Sequence, residues 1–138
     1  MIEISHNGTH PGQYHGIYMS GHGHLVAGNV IRRNSAYQIH GYPNATECVV
    51  AHNVVIGNGR ADCILCWSDD AGGRNLILRN TVIDGAGIRV KGGNGNTVRG
   101  NRGWNVTRML TNESANTTAD DNELLASAPT EPERMLLT

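Results

Sequence analysis

The chain has 138 residues, enough for one domain, with 11 basic against 12 acidic side chains and a formal net charge of −1. That balance excludes a general attraction to nucleic acid or to an anionic membrane, and no apolar stretch is long enough to span a bilayer. Apolar residues are 38%, phenylalanine is absent and glycine reaches 18, which is thin for a globular core but suits a narrow apolar column.

Taken in order, residues 2–14 hold a strand-like run, I-E-I-S-H, and a loop with a turn at Pro11-Gly12. The N-terminus, M-I-E-I-S-H-N-G, has neither a charged leader nor an apolar region, so no signal peptide is expected. From there one phrase recurs with variation. It reads L-V-A-G-N-V-I-R-R-N from Leu25, V-V-A-H-N-V-V-I-G-N from Val49, L-I-L-R-N-T-V-I-D from Leu76, and V-R-G-N-R-G-W-N from Val98. The leading asparagines are Asn29, Asn53, Asn80 and Asn101, with Asn122 a further candidate. The second polar positions are Asn34, Asn58, Asp84 and Asn105.

A repeat of this size sets the architecture. Each unit has short Val- and Ile-rich runs broken by Gly, Asn and Asp, and none can bury its apolar residues alone. Stacked units can. The expectation is an all-β, right-handed parallel β-helix, a solenoid of four to five coils over residues 1–125 with a flexible tail over 126–138. Coils are placed at 15–34, 36–58, 62–84 and 86–105, with a degraded fifth at 107–125. The repeat is already running by Ile4, so the open first coil is expected to meet more chain of a longer parent protein or a second copy. The leading asparagines are read as a structural ladder at a bend.

Alternation along the strands puts Ile17, Ile39, Ile64 and Ile88 in one inward column. Tyr18, His40, Leu65 and Arg89 then face outward, and so do Ser20, Tyr42, Trp67 and Lys91 if the strand continues that far. Flat rings stack on the C–H faces of sugars while charged groups bond hydroxyls or a carboxylate, so Tyr18, Tyr42 and Trp67 are candidate substrate-binding residues for a polysaccharide. The alternative is that they cover sheet surface or meet another subunit. Cys63 and Cys66, three apart, are expected to face opposite sides, Cys66 in the core and Cys63 partly exposed. Of the seven histidines, most sit in turns without metal-site spacing.

H-G-I-Y-M-S-G, N-V-I-R-R-N-S-A-Y-Q-I-H and N-L-I-L-R-N-T-V-I-D-G resemble the right-handed parallel β-helix repeat family with the pectin-lyase-like fold, over residues 3–110. The resemblance implies a secreted or cell-surface protein acting on an acidic glycan in the manner of a polysaccharide lyase. Arg89 and Lys91 would then serve uronate binding or proton abstraction, with His40 as acid or base. Asp62, Asp69 and Asp70 would supply oxygen ligands to calcium. The alternative for these charges is a solvated pair and an acidic turn. Gly21-His22-Gly23, Ser68-Asp69-Asp70 and Arg89-Val90-Lys91 resemble polygalacturonase motifs, but in the wrong order, which sets a hydrolase below a lyase. A non-catalytic carbohydrate-binding module and a structural solenoid remain as readings from other classes.

Overall fold

The structure is a computed structural model, and it describes residues 1–10, 12–69 and 71–129. Its strands, numbered along the chain, form three parallel sheets. The first sheet stacks β1 (Glu3–Ser5), β4 (Val30–Arg32), β7 (Val54–Ile56), β10 (Thr81–Gly85), β13 (Arg102–Val106) and β16 (Glu123–Leu124). The second stacks β2 (Ile17–Met19), β5 (Ile39–Gly41), β8 (Ile64–Trp67), β11 (Ile88–Asn94) and β14 (Leu110–Ala115). The third stacks β3 (Leu25–Ala27), β6 (Val49–Ala51), β9 (Leu76–Leu78), β12 (Thr97–Arg99) and β15 (Thr118–Asp120). The chain visits the sheets in rotation, so each coil adds one strand to each. The result is a parallel β-solenoid of about five turns, with no helix among the described residues. The expected fifth coil is present as β14 to β16.

The core is a column of inward residues. Ile31, Val55 and Val82 come from the first sheet, Ile39, Ile64 and Ile88 from the second, and Val26, Val50, Ile77 and Val98 from the third; all belong to one buried cluster. Ile17 is only partly buried but packs against it, so the expected isoleucine column holds. β-Branched side chains fit this pleated, fully enclosed surface, and each coil gains burial only from its neighbours.

The asparagine ladder holds the bend from the third sheet to the first. The backbone N–H groups of Asn29, Asn53, Asn80 and Asn101 each donate to the side-chain oxygen of the next asparagine, at 3.0, 3.0, 2.8 and 3.0 Å. The side-chain amides of Asn53, Asn80, Asn101 and Asn122 donate to the carbonyls of Val26, Val50, Ile77 and Val98. One side chain thus satisfies the backbone of both coils it bridges, where a buried turn would otherwise orphan polar groups. The residue before each ladder position has a positive φ, as Gly28 (68°), His52 (56°), Arg79 (52°), Gly100 (68°) and Asp121 (53°). This left-handed step makes the corner, at a conformational cost that glycine avoids at two of the five.

A second ladder lies at the bend from the second sheet to the third. Asn75 and Asn96 accept from the backbone N–H of Cys48 and Asn75, both at 3.0 Å. The third bend is tied by Asn34, Gln38 and Asn58; the Gln38 oxygen accepts the Asn34 backbone N–H, and the Asn58 amide donates to the Asn34 and Ala36 carbonyls. Cys63 corrects the sequence reading. It is fully buried, and both Cys63 and Cys66 lie in the core cluster. Cys63 precedes β8, so strand alternation does not govern it. Burial pushes both thiols up to about 12, and Cys48, Cys63 and Cys66 are all free.

Candidate functional site

The outer face of the second sheet carries the candidate residues. Strand pairing sets Tyr18 opposite His40, His40 opposite Leu65, Leu65 opposite Arg89, and Arg89 opposite Thr111. Trp67 is opposite Lys91, which is opposite Glu113. The expected columns through Tyr18 and through Trp67 are therefore in register, while Ser20 and Tyr42 lie one residue past the ends of β2 and β5.

The side chains make a continuous stripe. The Tyr18 ring meets His40 edge-on at 5.1 Å, and His40 stacks on Tyr42 at 5.6 Å. Tyr42 tilts against Trp67 at 4.8 Å, and the Lys91 ammonium lies 4.0 Å above the Trp67 ring. Tyr18 is 52% exposed and Tyr42 36%, so both offer ring surface to solvent. Trp67, Ser68, Asp69, Lys91, Gly92 and Glu113 line an open groove of about 440 Å³ beside the stripe. Gly92 lets its floor form: at φ 62°, a Cβ there would lie 2.2 Å from the Ser68 carbonyl oxygen. The pairing of β11 with β14 also shifts register between Lys91 and Asn94, a bulge at the groove's edge.

His40 faces outward yet is only 8% exposed. His15 and Tyr37 fold over it, with ring centroids 4.5 and 4.6 Å away. Its tautomer follows from its neighbours. The Tyr37 backbone N–H donates to His15 Nδ1 at 3.3 Å, so His15 carries its proton on Nε2. That proton is shared with His40 Nδ1 at 3.2 Å, which leaves His40 protonated on Nε2. His40 Nε2 is buried and has no partner among the described residues. Burial, and then the facing His15, pull the His40 pKa down from 6.5 to about 4. At neutral pH it is a neutral ring whose accepting nitrogen is already engaged.

Arg89 is held between two carboxylates. Its Nε donates to Asp62 Oδ2 at 3.0 Å and its Nη1 to Glu113 Oε1 at 2.5 Å. Asp62 is 5% exposed, and its other oxygen has no partner among the described residues. Burial raises the Asp62 carboxyl against the lowering pull of Arg89. Of the three aspartates considered for calcium, Asp62 is thus in the Arg89 pair, Asp69 lines the groove, and Asp70 lies outside the described residues. Among the described residues no three His, Cys, Asp or Glu side chains gather in a metal-binding arrangement.

The structure therefore brings Tyr18, His40, Tyr42, Trp67 and Lys91 together, and places Arg89 and Asp62 beside them in a separate ion network. Sequence reasoning missed Glu113 and Tyr37. Glu113 stands in the degraded fifth coil, 22 residues after Lys91, an offset close to the repeat length. Comparison of the chain with family models, curated proteins and solved structures gives no match in any of the three.

Proposed function

We propose that this β-solenoid is a non-catalytic carbohydrate-binding module whose ligand lies along the outer face of the second sheet. The observation that carries the reading is the stripe of Tyr18, Tyr42 and Trp67, which brings exposed ring surface into line beside an open groove with polar walls. Rigid aromatic faces on a rigid sheet suit a linear sugar chain, because little conformational freedom is lost when the ligand docks. Each stacked ring contributes about 0.5–1.5 kcal/mol beyond its buried area, so three rings support weak, reversible binding.

The resemblance of the repeat phrases to pectin-lyase-like β-helices is what favours the second reading, a lyase on an acidic glycan with Arg89, Lys91 and His40 at its centre and calcium as its metal. The geometry gives it less support. Arg89 is engaged by Asp62 and Glu113, and His40 is closed off under His15 and Tyr37. One experiment separates the two. The chain is incubated with a panel of soluble polysaccharides, with and without calcium, and is followed by affinity electrophoresis and by ultraviolet absorbance of unsaturated uronate. Retardation without absorbance growth, lost in Trp67→Ala, is the expected result. Absorbance growth on an acidic glycan, lost in Lys91→Ala, would overturn it in favour of the lyase.

A further inference from the structure

Resting on the glycan-binding reading, we infer that the Trp67 groove selects a neutral sugar chain over a uronate, and that Lys91 is a removable cover on the ring the sugar stacks against. Two observations carry this. The first is the charge around the groove. Among the described residues its neighbourhood holds Arg89 and Lys91 against Asp62, Asp69 and Glu113, two positive groups against three negative. The positive charge of Arg89 faces Asp62 and Glu113 at bonding distance, so it is not presented to a ligand. A carboxylate entering between Asp69 and Glu113 meets like charge, in a neighbourhood where negative groups outnumber positive ones. A neutral sugar has no such conflict. Its hydroxyls are donors, and the Asp69 and Glu113 carboxylates supply oxygen acceptors along the wall.

The second observation is where Lys91 sits. Its ammonium lies 4.0 Å from the Trp67 ring centroid, over a face that a sugar's C–H groups would use. The remaining ring contact of Trp67 is with Tyr42 at 4.8 Å. A ligand that stacks on Trp67 must displace the lysine. The lysine can leave: its stem is flexible, the position is half-exposed, and the ammonium regains its hydration when it swings out. Lys91 therefore competes with the ligand for the ring.

The test uses the full chain, a neutral β-glucan and a polyuronate, with dissociation constants from titration calorimetry for wild type, Lys91→Ala, Lys91→Met and Trp67→Ala. The neutral glucan is expected to bind and the polyuronate to bind about tenfold or more weakly at low salt, where like-charge repulsion is least screened. Removing the cation–π contact with either lysine variant is expected to tighten glucan binding about two- to fivefold. Trp67→Ala is expected to lose it. A polyuronate that binds as well as the glucan, or a lysine variant that binds the glucan more weakly, overturns the inference and leaves the glycan reading standing. No binding of either polymer by wild type or by the lysine variants overturns the glycan reading and the inference together.

Discussion

The two faces of the second sheet lie one residue apart in sequence and follow opposite rules. Inward, successive coils present Ile17, Ile39, Ile64 and Ile88, the same side chain four times, three of them with no exposure. Outward, the neighbouring positions are Tyr18, His40, Leu65 and Arg89, with no two alike. A solenoid core repeats because each coil must fill the same cross-section at native packing density. The outer face carries no such constraint, so what varies there has been freed to do something else. Repetition marks the scaffold in this chain, and variation marks the candidate surface.

Several changes break or sharpen that contrast. Ile64→Ala opens a cavity in the column and should cost about 3–4 kcal/mol in urea unfolding, with the slope unchanged. Asn80→Ala should cost about 3 kcal/mol, because it strips the Asn53 backbone N–H and the Val50 carbonyl of their buried partners. A cost below that of an ordinary exposed substitution at either site would break the contrast from the inside.

The outer face should respond to pH where the core does not. In the unfolded chain His40 titrates near 6.5, and in the fold near 4. As pH falls the unfolded chain takes up the proton first, so stability is fully present above about 6.5 and declines toward pH 4, by on the order of 2–3 kcal/mol. Asp62, whose carboxyl burial raises, acts in the opposite sense. Comparison with His40→Phe isolates the histidine: the variant should lose the larger part of the decline, the remainder coming from His15, whose pKa burial also lowers, and an unchanged pH profile would contradict the buried-pair account. Arg89→Met leaves Asp62 buried without its cation and should cost about 1–3 kcal/mol at neutral pH. Tyr18→Ala, at a half-exposed ring, should move stability by less than about 1 kcal/mol while weakening glycan binding.

Much of the scaffold was legible in the sequence because it repeats. Asn29, Asn53 and Asn80 recur before β-branched pairs, Asn101 follows one coil later before Arg102-Gly103, and Asn122 extends the series as expected. The second ladder escaped notice although Asn75 and Asn96 precede Leu76-Ile77 and Thr97-Val98 at matching offsets, since a cysteine, Cys48, occupies the slot one coil earlier. Tyr18 and Trp67 were legible as outward from alternation alone, whereas Tyr42 stands past the end of β5, against Trp67. The burial of His40 was not: it depends on His15 from the preceding loop and on Tyr37 from a bend, side chains that no periodicity links to it. Nor was the capture of Arg89, which needs Asp62 and Glu113 from coils on either side. Columns follow from a repeat, whereas contacts between a column and a loop do not.

The most direct test of the central claim is a calorimetric titration of a soluble neutral glucan into the wild-type chain and into Trp67→Ala, with urea midpoints measured on both. The account predicts binding to wild type, at least about tenfold weaker binding to the variant, and midpoints that nearly coincide. Equal affinity in the two proteins, or no affinity in either, would contradict it.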